Sequence, residues 1–200
     1  MMAMATAELT MSDQIELASF RQGRAGTYVR CAPGENVAAP GSGDIILIRG
    51  RGWLGWIIRA VQRVRYRREE DHRFAYWSHA ALIVTPWHVI EVIPAGVMMC
   101  KIEKYRDHDY HYVHLELSES DRSKAVAFAY SCLRQKYGLS SFLLLAASVL
   151  LGDRFKVPDR GQHGCVALIA RALQRAGMTF EQRPNDMMPA DLAKRFGVVP

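Results

Sequence analysis

The chain is poor in cysteine, and its four residues of that type, Cys31, Cys100, Cys132 and Cys165, lie far apart with no CxxC pair. That pattern excludes the dense disulfide framework on which small secreted domains rely and makes a cysteine-paired zinc site untenable. Long apolar runs are missing too. The longest, "LSSFLLLAASVLLG" at residues 139–152, falls short of the roughly 20 residues that a membrane-spanning helix requires. It reads as a core helix. The first residues, "MMAMATAELTMSDQIELASF", show neither a basic opening nor a continuous apolar stretch, so an ordinary secretory leader is not expected and the cytoplasm is the expected compartment. No internal repeat or low-complexity tract is visible.

Apolar material is plentiful by contrast. Half of the 200 residues are hydrophobic and 23% are charged, enough to bury the core of one main domain and too apolar for a disordered chain. The net charge of +6 is unevenly placed: between Arg49 and Arg73, eight arginines face three acidic residues, a local surplus of five. Within this segment "WLGWIIRAVQRVRYRR" sets Trp53, Ile57, Ala60, Val61 and Val64 on one helical face, expected to meet the core, with Arg59, Arg63 and Arg67 opposite. Such a helix is either core-facing with a solvated basic side or a peripheral contact for an anionic membrane through Arg59, Arg63 and Arg67. Its tryptophans and one-sided apolar stripe argue against groove reading of nucleic acid.

Residues 1–40 are mixed in character and end in the loop-like "APGENVAAPGSG", so they read as a loosely attached arm ahead of a domain spanning 41–200. "GDIILIRG" is a buried strand, and "HAALIVT", "HVIEVIP" and "VMMCKIE" are spaced as an antiparallel meander followed by the alternating "YVHLEL". A capped helix is expected from "SESDRSKAVAFAYSCLRQKYG" to Gly138, then the apolar run, Val166 to Ala176 closed by Gly177, and a terminal "PADLAKRFG". Strand, helix, meander and helices in that order predict an α+β fold with one mostly antiparallel sheet packed against helices.

Three side chains carry candidate chemistry. Cys165 sits where the polar "DRGQHG" meets a helix, and the free N–H groups of a first helical turn favour a thiolate and could also hold an oxyanion. Free cysteine is equally at home as a small core residue. His79, which opens an apolar strand, is the best placed of seven histidines to act as base, or else a strand-end residue bonded to backbone. Glu91 lies within the apolar "HVIEVIP", where a carboxylate is costly unless it is paired. With "PW" as the turn it falls beside His79 and could orient the imidazole, or it could point to solvent. "HDYHYVH" invites a metal reading, but on a strand His111 and His114 face opposite sides, so no metal site is expected.

The order "GDIILIRG", "WSHAALIV", "VIEVIPAGV", a helix ending "KYG", "GCVALIARALQRAG" and "MPADLAKRFG" resembles the circularly permuted papain-like cysteine hydrolases of the NlpC superfamily, in particular the YiiX/YaeF-like group. The resemblance runs from Gly43 to Gly197 and implies a permuted papain-like fold in which the histidine strand precedes the nucleophile. Motif for motif, Cys165 takes the nucleophile's place, His79 the base's and Glu91 that of the third polar residue. Tyr137 falls where relatives often carry a tyrosine facing the site, and with Trp77 it is a candidate substrate contact. Val166 stands where relatives often show a serine.

The resemblance implies an amidase, peptidase or acyltransferase that works through an acyl-thioester without metal or organic cofactor. Its substrate would be a peptide amide, such as a cell-wall stem peptide, or a lipid-linked acyl group. The alternative is a non-catalytic module that binds a membrane or a protein partner through residues 49–73.

Overall fold

Six short strands form one antiparallel sheet in the computed structural model, which describes residues 26–35, 37, 40–66, 68–135 and 164–200. The strands are β1 (Gly26–Cys31), β2 (Ile45–Ile48), β3 (His79–Thr85), β4 (His88–Ile93), β5 (Gly96–Lys101) and β6 (Tyr110–Leu115), in the spatial order β1-β6-β2-β3-β4-β5. Among the described residues there are four α-helices, α1 (Trp53–Arg65) between β2 and β3, and α2 (Glu119–Ser131), α3 (Cys165–Arg175) and α4 (Pro189–Arg195) after β6. The class is α+β. The apolar run at 139–152 lies outside the described residues. Among those described, no helix is long and apolar enough to cross a membrane.

Side-chain alternation divides the sheet into two buried faces. Ile45, Leu47, Ala80, Leu82, Ile90, Val113 and Leu115 point to the helices, where they meet Ala125 and Ala129 of α2 and Val166, Ile169 and Leu173 of α3. Ile46, Ile48, Ala81, Ile83, Val89, Tyr110 and Tyr112 point the other way and pack with Cys31 and Tyr105. Burial on both faces explains why β2 is a run of four apolar residues without alternation, each at most 1% exposed.

Three expectations need correction. The arm is not loose throughout: Gly26–Cys31 pairs with β6 over six residues, from Gly26 opposite Leu115 to Cys31 opposite Tyr110. Its Tyr28 and Val29 suit a pleated surface, and β6 supplies the hydrogen-bonding edge that a local reading cannot see.

The core face of α1 is also rotated from the expected one. Gly55, Ile58, Val61 and Gln62 are buried, while Trp53, Trp56 and Val64 are 68%, 66% and 57% exposed. Gln62 is anchored by donating to the Trp77 carbonyl at 2.7 Å and accepting from the Ala190 N–H at 2.8 Å. Those two bonds make a polar residue the better core neighbour.

Finally, α2 ends at Ser131 rather than near Gly138. Its Ser118 cap accepts from the Asp121 N–H as expected. After Ser131 the chain turns through Arg134 at φ +64° and pairs with β5, Arg134 N–H donating to the Val97 carbonyl and Val97 N–H to Gln135.

Candidate active site

His79 opens β3, and Glu91 lies on the neighbouring β4. Leu82 is paired with Ile90, so continuing the antiparallel register by one step sets Glu91 opposite Ala81, two residues along the same face from His79. Diagonal neighbours of this kind are within reach of long side chains. The reach is used: His79 Nε2 lies 2.7 Å from Glu91 Oε2, with the glutamate side chain fully buried and the imidazole 21% exposed.

Glu91 is held by more than the histidine. The Lys104 ammonium donates to Oε1, and the Tyr105 hydroxyl donates to Oε2 at 2.5 Å. Burial pushes this carboxyl up, yet His79, Lys104 and Tyr105 together outweigh it and hold the carboxyl down at about 2. The costly carboxylate in an apolar strand is therefore fully partnered. Tyr105 is driven upward by burial and by Glu91, so it stays a neutral donor.

Cys165 is the first residue of α3, with Gly164 as its cap and no side chain bonding the first turn. The earliest bond in the helix is Leu168 N–H to Gly164 carbonyl, which leaves the N–H groups of Cys165, Val166 and Ala167 without intrahelical acceptors. The thiol lies close enough to the imidazole of His79 for the two to interact electrostatically. Because Nε2 is committed to Glu91, Nδ1 is the nitrogen left to face the sulfur. Burial pushes the Cys165 thiol up, but the His79 charge, aided by the Ala80 and Val166 backbone N–H groups, carries it below its ordinary value. His79 moves in the opposite sense: burial alone would lower it, while Cys165 and Glu91 raise it well above the usual imidazole range. The two shifts run in the directions that favour a thiolate beside an imidazolium.

The other three cysteines shift the opposite way. Burial pushes the Cys31 thiol up to about 11, and burial also raises Cys100 and Cys132, the former helped by Glu91. Cys165 is the one described cysteine with a depressed thiol.

The structure thus brings together Cys165, His79 and Glu91. It does not support Trp77 as a substrate contact: the indole is fully buried, its N–H donates to the Val198 carbonyl, and its ring packs against His111. Trp77 precedes His79 by two residues but closes a short 3-10 turn ahead of the strand, so strand alternation does not carry it to the face of His79, and it packs in the helix-side core instead. Tyr137 lies outside the described residues. Of the arginines, Arg59 is half-buried and donates to the Gly50 carbonyl at 2.7 Å, Arg63 is exposed, and Arg67 lies outside the described residues. His111 and His114 face opposite sides of β6, the first stacked on Tyr28 and the second bonded to Asp44.

Lys104 and Tyr105 escaped the sequence reading. They sit in a short 3-10 turn after β5. A carboxylate within an apolar strand was a request for such partners, but no fixed spacing links a strand residue to a turn two elements later.

No protein-family profile matches the chain, and a search among curated proteins finds no relative.

Proposed function

We propose that the protein is a permuted papain-like cysteine hydrolase or acyltransferase acting on an amide or ester bond. The observation that carries this reading is the chain of contacts from Glu91 through His79 to the depressed thiol of Cys165 at a helix N-terminus. Its order along the chain, histidine strand, carboxylate strand, cysteine helix, agrees with the resemblance.

In the mechanism, the Cys165 thiolate attacks the substrate carbonyl carbon and forms the carbon–sulfur bond. First-turn N–H groups of α3 that lack an intrahelical acceptor receive the oxyanion. As the tetrahedral intermediate collapses, the imidazolium of His79 gives its Nδ1 proton to the departing amine or alcohol, leaving an acyl-thioester. His79 then takes a proton from water or another acceptor, which attacks the thioester and restores the thiolate. Glu91 holds Nε2–H throughout and stabilises the imidazolium, while Lys104 and Tyr105 fix Glu91. The substrate is a peptide amide or a lipid-linked acyl group.

A non-catalytic module working through residues 49–73 leaves unexplained why a buried carboxylate, an imidazole and a thiol are aligned. Intact-mass spectrometry after incubation with activated acyl esters and peptide amides tests the catalytic reading. An acyl adduct on Cys165 that accumulates in wild type and is absent from Cys165→Ser is the expected result. Acylation that persists in Cys165→Ser, or no adduct with any substrate, overturns it.

A further inference from the structure

The outward face of α1 has no role in the chemistry above. Trp53, Trp56 and Val64 lie on one helical face that is turned to solvent, away from the core stripe of Gly55, Ile58, Val61 and Gln62, with half-buried Ile57 and Ala60 at its border. The two tryptophans are about two-thirds exposed, a large apolar area for a protein to leave in water. The helix holds no acidic residue; of its three arginines Arg59 and Arg65 bond within the protein, while exposed Arg63 and the preceding Arg51 flank the tryptophans.

We infer that this face of α1 docks the protein on an anionic lipid bilayer. The helix, about 20 Å long, would lie in the plane of the interface. Tryptophan favours the headgroup level, where its ring meets apolar chains and its N–H stays wet, while the arginines meet lipid phosphates. Charge selects this occupant over a second copy of the chain, because a two-fold contact through α1 sets one copy's arginines against the other's. The apolar face selects it over nucleic acid, whose phosphates offer nothing to two tryptophans and a valine lying side by side.

The buried side of the helix is also tied to the strand that carries His79. Gly55 packs so closely on Gly50 that an added Cβ would lie 2.7 Å from the Gly50 carbonyl oxygen, and Gly50 N–H donates to Ser78 Oγ at 2.8 Å. Ser78 is the residue before His79, so the docking helix is tied to the strand that carries the base. The inference itself stands apart from the thiol chemistry.

The test is co-sedimentation of the full chain with vesicles of phosphatidylcholine, alone or mixed with phosphatidylserine. Wild type and Cys165→Ser are expected to bind the mixed vesicles equally and the neutral ones poorly. Raised salt should weaken binding. Trp53→Ser/Trp56→Ser should lose about ten-fold or more in partitioning, and Arg63→Gln about five-fold, with circular dichroism unchanged. Failure to bind mixed vesicles, binding indifferent to the tryptophan changes, a dimer that buries Trp53 and Trp56, or nucleic-acid binding in place of vesicle binding would each overturn the inference. Because Cys165→Ser is included, loss of docking and loss of catalysis read out separately.

Discussion

Glu91 Oε2 lies 2.7 Å from His79 Nε2, and both of its oxygens are also claimed by Lys104 and Tyr105. A carboxylate placed in this way fixes the ring and its tautomer, so that Nδ1 is presented to Cys165.

Replacing Glu91 by Gln keeps the shape and removes the charge. The imidazolium then loses its buried counter-ion, and the Cys165 thiol rises toward its ordinary value. The alkylation rate of Cys165 near neutral pH should fall about 10- to 100-fold, and turnover with it. Peptide-resolved iodoacetamide labelling measures this, and an unchanged rate would remove Glu91 from the site.

Lys104 acts through Glu91, which makes it a positioning residue. Its ammonium helps hold the carboxyl down, so Lys104→Met should raise the Glu91 carboxyl. The acid limb of the Cys165 pH–rate profile should then move to higher pH, with Lys104→Arg restoring most of the wild-type profile. A merely structural lysine would lower the whole profile without moving its limb.

Acid stability has two separable windows. Glu91 is held below its usual range, so its stabilising contribution is complete above about 4.5 and is lost as pH falls toward about 2. His111 is 1% exposed with neither ring nitrogen bonded, and burial lowers it to about 4. Above pH 6.5 it is neutral folded or unfolded. Between 6.5 and about 4 only the unfolded chain takes the proton, so stability declines there by roughly 3 kcal/mol. His111→Phe, between Tyr28 and Trp77, should abolish that decline and raise stability at neutral pH by about 1 kcal/mol, as two unbonded buried nitrogens are removed. Urea titrations at pH 7 and 5 check both statements.

Gly55→Ala tests the seam between α1 and β3. The added methyl meets the Gly50 carbonyl at 2.7 Å and Ser78 Oγ at 3.1 Å. The gain in helix propensity offsets part of the clash, leaving a net loss of about 1–2 kcal/mol. The displaced Ser78 should also slow alkylation of Cys165.

Much of this was legible in the sequence where one strong local pattern had one solution. The apolar "IILI", the meander through "HAALIVT" and "HVIEVIP", and the helix closed by Gly177 needed no distant partner to be read. The same meander turns made Glu91 a neighbour of His79. The rotation of α1 was not legible, because its sequence offers two apolar stripes and the buried one is chosen by Gly55 against Gly50 and by Gln62 against Trp77 and Ala190. Trp77 was misplaced for a similar reason, since nearness in sequence to His79 says nothing about which side of the sheet receives a turn residue. Lys104 and Tyr105 reach Glu91 across β5, a contact without sequence periodicity.

The measurement that tests the central claim most directly is the pH dependence of iodoacetamide alkylation at each of the four cysteines, in wild type and in His79→Ala. The account predicts that Cys165 alone reacts rapidly near neutral pH and that its advantage disappears without His79, while Cys31, Cys100 and Cys132 react only at higher pH. A Cys165 that reacts no faster than a free thiol, or whose rate ignores His79, would contradict it.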